Sequence, residues 1–116
     1  MIGISTRVFP YRLDCKSKEP IELFVTLTNG TLRRQLSIDI VLDDALSFDR
    51  VKPEHTVYKR LGEFGSSQSK ELVFYIYPVV GAMPGSKQVQ IRVGEHTKDY
   101  NIIEHETEKL VSINMI

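Results

Sequence analysis

Two segments of this sequence alternate apolar and polar residues at every second position. The apolar residues are Ile21, Leu23, Val25 and Leu27 in the first segment and Leu36, Ile38, Ile40 and Leu42 in the second. Successive side chains of a β-strand point to opposite faces of its sheet, so each segment predicts a strand with one buried face. Asn29-Gly30 follows the first segment and is a strong turn signal. The sequence therefore predicts a strand–turn–strand hairpin over residues 20–43.

Further strands are predicted along the rest of the chain. They cover residues 4–9, 46–48, 57–58, 70–77, 89–93 and 99–103, the last two joined by a turn at 94–97. Residues 104–116 are open between an extra strand, a short helix and a tail. Seven or eight strands with regular turn signals and no amphipathic helix are typical of an antiparallel β-sandwich or barrel. We predict the sandwich, as a single domain spanning residues 1–116.

The inward sides of these strands predict the core. Its members are Leu23, Val25, Leu27, Leu36, Ile38, Ile40, Leu72, Phe74, Ile76, Val89, Ile91 and Val93. Burial of each such side chain contributes about 1.5–3 kcal/mol. A domain that folds on its own is therefore expected.

Charge and composition exclude several classes of function. Lys plus Arg equals Asp plus Glu, at 15 each, so no excess of positive charge is present to bind nucleic acid or an anionic membrane surface. No apolar run is long enough for a signal peptide or a membrane span. We expect a cytoplasmic protein if the chain is full-length, or an extracellular one if it is a domain of a longer secreted protein. Cys15 is the single cysteine, which excludes an internal disulfide and a cysteine zinc cluster.

No catalytic motif is visible in the sequence. A Gly-x-Ser-x-Gly elbow and a phosphate-binding glycine loop are both absent, and His55, His96 and His105 are far apart along the chain. We therefore expect a protein that is not an enzyme and needs no cofactor.

Aromatic side chains stand opposite the predicted core. Strand 70–77 is apolar on both faces, and Phe24, Tyr75 and Tyr77 point away from the core side. Large apolar groups on an outer face either contact another protein or are covered by another segment of the same chain. The sequence thus predicts an interaction face at these three residues, for a protein partner or for self-association, and an unpaired edge strand would offer a second route to the same end.

Acidic residues offer an alternative function. Asp43, Asp44 and Asp49 fall in predicted loops, where they form a candidate cation site of the kind used by calcium-binding sandwiches. The other interpretation is that these carboxylates cap backbone groups in turns. The alternative hypothesis is therefore a ligand-binding domain, for calcium or carbohydrate, that uses loops at one end.

Three segments share a pattern with a known class of domain: the alternating strand 20–29 that ends in Thr-Asn, the polar turn in 65–71, and Pro84-Gly85 before the strand 89–93. They resemble the small immunoglobulin-like accessory domains of bacteria and archaea, including the CARDB-type domains. The likeness covers residues 17 to about 103, and Lys87 stands where these domains usually have an aromatic residue. The resemblance implies an immunoglobulin-like sandwich that serves as a spacer or binding module without chemistry of its own.

Overall fold

The computed structural model describes residues 2–96, 100 and 102–116, and in these residues the chain is all-β with no helix. Its strands are β1 (Gly3–Phe9), β2 (Arg12–Leu13), β3 (Ile21–Thr28), β4 (Arg34–Leu42), β5 (Leu46–Ser47), β6 (Thr56–Phe64), β7 (Ser69–Pro78), β8 (Gly85–His96) and β9 (His105–Met115). The all-β class is confirmed. The described residues form nine strands rather than seven or eight, because a two-residue strand such as β2 is too short to show alternation.

The strands form two sheets that enclose the core between them. The first sheet has the order β1-β3-β7-β5, and the second sheet has the order β2-β9-β8-β4-β6. Neighbouring strands are antiparallel except β2 and β9, which run parallel. The first sheet therefore has β1 at one edge and the very short β5 at the other, while the second sheet has β6 at one edge and the two-residue β2 at the other.

The predicted core is confirmed at every position except Leu72, which is only half-buried. At Leu72, β7 pairs with β3 on one side, and no strand of the described residues pairs with its other side. Alternation identified the core because each inward side chain meets the opposite sheet. Strands that the sequence did not delimit add further buried residues, among them Leu13, Phe64, Ile113 and Met115.

The predicted hairpin over residues 20–43 is wrong, although both of its strands exist. β3 pairs with β1 and β7, whereas β4 pairs with β6 and β8. The chain crosses from one sheet to the other at Asn29, whose buried side-chain amide donates to the carbonyl oxygens of Leu32, Phe64 and Gly65. The Asn29 side chain thus links the end of β3 to the end of β6 by hydrogen bonds, and Asn29 is not part of a tight hairpin turn.

The second predicted hairpin is also different from the observed one. β8 continues through Gly94 to His96 and then pairs with β9, with Glu95 opposite His105. The strand predicted at 99–103 lies partly outside the described residues, which omit 97–99 and 101, and Ile102 and Ile103 are not in a strand. Of the three possibilities for residues 104–116, the structure shows a strand, His105–Met115.

Candidate interaction surface

The outer face of the first sheet carries two rows of side chains that run across its strands. One row is Phe9, Glu22 and Tyr75, and the other is Arg7, Phe24 and Val73. Phe9, Val73 and Tyr75 are all exposed, and Tyr75 has 53% of its surface in solvent. These three side chains share the outer face, with Glu22 between Phe9 and Tyr75 and with Phe24 directly opposite Val73. We call Phe9, Val73 and Tyr75 the outer patch.

The three residues predicted as an interaction face have three different environments. Tyr75 is exposed within the outer patch. Phe24 is half-buried because the Arg7 guanidinium lies over its ring, with its carbon 4.2 Å from the ring centroid. Tyr77 is also half-buried and lines a groove at the end of the sheet. The prediction does not include Phe9 or Val73. Val73 is two residues from Tyr75 on the same strand, so alternation alone places its side chain on the same face.

Strand β7 also has an unpaired edge. It pairs with β3 from Ser69 to Ile76, but on its other side β5 meets only Tyr77 and Pro78. Among the described residues, no strand pairs with the opposite side of Ser69–Ile76. We call this stretch the free edge. Its backbone N–H and C=O groups that point away from β3 are available to another strand.

A groove lies at the end of the molecule where β7 meets its loop to β8. It consists of two adjoining depressions of about 340 and 260 Å³ that share Arg50, Val51, Pro78 and Val80. Ser17, Lys18 and Tyr77 complete the larger depression. The groove thus combines apolar walls with two cationic side chains, and the smaller depression also has the Asp49 carboxylate. The larger depression, which lacks that carboxylate, has the composition of a site for a small ligand that bears a negative charge.

The predicted cation residues are engaged with the backbone. Asp43 accepts a hydrogen bond from the Ala45 amide, and Asp49 accepts from the amides of Val51 and Lys52. Those last two bonds favour the charged carboxylate and lower the pKa of Asp49. Asp44 is exposed. Within the part of the chain that the structure describes, no three His, Cys, Asp or Glu side chains are grouped so that they could hold a metal ion.

One pair of side chains was missed by sequence reasoning. Ser37 Oγ lies 2.8 Å from His96 Nε2, and His96 Nδ1 lies 2.7 Å from the Ile102 carbonyl oxygen. Since a carbonyl only accepts, Nδ1 carries a proton, and in a neutral ring the Ser37 hydroxyl then donates to Nε2. A serine nucleophile and its base share this arrangement, but Ser37 and His96 are only 5% and 1% exposed.

The buried Ser37–His96 hydrogen bond therefore links β4 and β8, and the pair is not open to a substrate. Gly94 makes room for it, because a Cβ at that position would lie 3.0 Å from Ser37 Oγ. No sequence motif marks the pair, since its members are brought together only by the register of the two strands, which places Ser37 opposite Gly94.

Comparison with solved structures shows the fold alone. The chain is similar to BslA, described as a bacterial hydrophobin, with a TM-score of 0.56, 8% identity, and coverage of 99% of this chain and 95% of that one. It is also similar to AvmM, which catalyses macrocyclization in alchivemycin A biosynthesis, with a TM-score of 0.59, 14% identity, and coverage of 97% and 88%. No protein-family model and no curated protein matches the sequence.

A third similar structure is the alkylpurine DNA glycosylase AlkC of Pseudomonas fluorescens, bound to DNA containing an abasic site analogue. Its TM-score is 0.51 at 17% identity, over 94% of this chain but 30% of that one. A hydrophobin, a cyclization catalyst and a DNA glycosylase share this architecture, and fold does not imply function. In the residues that the structure describes, no helix has the length and apolarity needed to cross a membrane.

Proposed function

We propose that this protein is a non-enzymatic interaction module that contacts another protein through the outer patch and the adjoining strand β7. The observation that supports it is the grouping of Phe9, Val73 and Tyr75 on one exposed sheet face. Aromatic residues are enriched at protein interfaces because they bury a large area at a low cost in side-chain entropy.

The surroundings of the outer patch are suited to a protein partner. Glu22 lies between Phe9 and Tyr75, and the Arg7 guanidinium lies over Phe24, so charged groups stand among the apolar side chains. A partner surface that pairs with these charges and covers the apolar side chains fits this mixed face, since protein interfaces combine apolar contacts with hydrogen bonds. We also propose that the domain belongs to the immunoglobulin-like accessory class, a proposal supported by its two-sheet architecture and by the segments that resemble that class.

A matched pair of variants tests the interaction function. Tyr75 on the first sheet and Tyr58 on the second sheet are 53% and 54% exposed. Replacement of either tyrosine therefore removes a similar area of exposed aromatic surface. We expect Tyr75→Lys to reduce association, measured as self-association by sedimentation and as capture of partners by a photo-crosslinking residue at position 75. Tyr58→Lys, with the same probe at position 58, is the control. Equal behaviour of the two variants in both assays would contradict the proposal.

The groove supports a second candidate function, ligand binding at the loop end. Lys18 and Arg50 lie beside the apolar walls formed by Val51, Val80 and Tyr77. This combination suits a carbohydrate with an acidic group, which stacks on an aromatic ring and pairs with a cation. Calorimetric titration with a uronate oligosaccharide, and separately with calcium, tests it. Binding heat that Arg50→Ala abolishes would support the acidic carbohydrate, and no heat with either compound would remove this candidate.

A further inference from the structure

The free edge is apolar over most of its length. Lys70 and Glu71 are its charged residues, and Leu72, Val73, Phe74, Tyr75 and Ile76 follow without a charge, a glycine or a proline. The pairing of β7 with β3 shows no register shift, so no bulge interrupts the strand. A regular apolar edge of this kind is a template for strand addition.

We infer that the free edge pairs antiparallel with the free edge of a second copy of this chain, joining two first sheets into one continuous sheet. The inference rests on the proposed interaction function and names the partner for it. Equal numbers of acidic and basic residues leave the chain with zero net charge, so two copies meet without long-range repulsion. Each copy supplies the apolar strand that the other lacks.

The contacts around the free edge limit the register of this pairing. β5 occupies the edge at Tyr77 and Pro78, so the second strand must lie within residues 69–76. In the joined sheet, outer-face side chains of one copy must lie opposite outer-face side chains of the second copy. This is possible only if one residue of β7 lies opposite the same residue of the second copy, on the two-fold axis. An axis at Lys70 or Glu71 would bring like charges together. An axis at Phe74 or beyond would pair at most residues 72–76, a shorter stretch than the 70–76 paired about Val73 or the 69–75 paired about Leu72. Two registers remain, one centred on Val73 and one centred on Leu72.

Both remaining registers keep like charges apart. The register centred on Val73 places Glu71 opposite Tyr75 of the second copy, and the register centred on Leu72 places Glu71 opposite Val73. In each case Tyr75 of both copies lies on the same outer face, so the two outer patches become part of one larger surface. The second copy therefore fits the edge by charge as well as by apolarity.

The other exposed edge of the first sheet is less suitable. At β1, the Lys109 ammonium reaches over from β9 and lies 3.4 Å from the Ile4 carbonyl oxygen. Lysine at a sheet edge is a common protection against pairing with another strand. A lysine also lies near the free edge, since the Lys59 ammonium is 5.4 Å from the centroid of the Phe74 ring, but it covers a side chain and not a backbone carbonyl. The bond to the Ile4 carbonyl therefore favours β7 rather than β1 as the place where a second copy is added.

Disulfide cross-linking tests the proposed pairing. In a Cys15→Ser background, Val73→Cys and Leu72→Cys each place a thiol on one of the two possible axes. Antiparallel partners have Cα atoms about 4.5–5.5 Å apart, within the range of a disulfide. We expect one of the two variants to form a covalent dimer at least about tenfold faster than the control Ser5→Cys, because pairing raises the effective thiol concentration. Ser5 is an exposed outer residue of β1.

A second variant tests the pairing without a cross-link. Val73→Asp places like charges together in both registers, because the new carboxylate lies opposite either its own counterpart or Glu71 of the second copy. It is expected to weaken dimerization by about tenfold or more, and Ser5→Asp is the matched control. A dimer that cross-links at neither axis, or a chain that stays monomeric at high concentration, would overturn the β7 pairing. In either case partner capture at position 75 decides the proposed function independently.

Discussion

Strands β6 and β7 lie on the same side of the molecule, and their exposed edges differ in how well they are protected against pairing with another strand. The Lys59 ammonium of β6 lies 5.4 Å from the centroid of the Phe74 ring on β7, which shows how close the two strands are. β6 carries charged residues along its length and an irregularity near Gly62, whose amide donates to the Tyr100 hydroxyl. β7 has an uninterrupted apolar run and no such irregularity.

The difference indicates how each edge relates to other strands. Lysines, bulges and capped amides all hinder the approach of a second strand, and β6 has each of them. β7 has only Lys70 and Glu71, both near one end. An edge that is left apolar beside an edge that is protected is consistent with a role for β7 in association. The following predictions test how far the two strands differ, from the largest expected effect to the smallest.

Replacement of Phe74 by alanine is expected to have the largest effect on stability. Phe74 is buried and packs against Phe48, with ring centroids 6.2 Å apart, and under Lys59 of β6. Its removal leaves a cavity between the two strands, so the free energy of unfolding should fall by about 3–5 kcal/mol. Urea denaturation measures the loss, with the exposed Tyr58→Ala as control. A loss for Phe74→Ala no larger than that of the control would show that β6 and β7 do not pack through this ring.

Asn29→Asp is expected to lower the stability of the region where β6 ends and β7 begins. The Asn29 side chain donates to carbonyls at the end of β6, and its backbone amide donates to the Gln68 carbonyl just before β7. A carboxylate cannot donate, so buried carbonyls lose their partners and the free energy of unfolding should fall by about 2–3 kcal/mol. Asn114→Asp, at an exposed position of β9, is the control for the change of charge. Similar stabilities of the two variants in urea would refute this role.

Gly62→Ala tests the irregularity that protects β6. Gly62 has φ of 79°, a conformation that costs an L-residue about 1–2 kcal/mol. A Cβ there would meet no atom within 4 Å, so the expected loss comes from the backbone alone. Thermal unfolding should show it, while Gly65→Ala, where φ is not in this region, should cost less. If Gly62→Ala is as stable as the wild type, the backbone of β6 is not strained at this residue.

The smallest effect is expected at Asp49, in the loop that joins β5 to β6. Its pKa is lowered by hydrogen bonds from the amides of Lys52 and Val51, so the charged form stabilises the folded loop. This contribution is complete above the unfolded pKa of about 3.9 and is lost as the pH falls through the lower folded value. Relative to Asp49→Asn, which does not titrate, wild type should therefore lose melting temperature only below about pH 4. A difference that is constant from pH 7 to pH 3 would contradict this.

Alternation along the chain predicted the strands better than their pairing. Leu23, Ile38 and Ile91 were correctly placed in the core, because burial of every second residue depends only on the local period of a strand. The hairpin across Asn29 was wrong because the chain crosses to the other sheet there, fastened by carbonyls of Phe64 and Gly65 that lie far away in sequence. A strong turn signal does not show which strands it connects.

The candidate surface was predicted in part for the same reason. Alternation places Tyr75 on an exposed face, because it is adjacent to the buried Phe74 and neighbouring strand residues point to opposite faces. The partial cover of Phe24 by Arg7 depends on β1 lying beside β3, which local alternation does not reveal. Phe9 is the last residue of β1 before Pro10, and its place in the outer patch follows only from the pairing of β1 and β7 with β3.

The sequence by itself determined an all-β chain, most of its core and the absence of net charge. These properties follow from side-chain period and composition, which are local or additive. Only the tertiary structure decided which strands are neighbours, where the sheet edges lie and which aromatic residues stay exposed. Backbone hydrogen-bonding groups are the same in every strand, so pairing is selected by contacts between residues distant in sequence, such as β8 with β9 and β3 with β7.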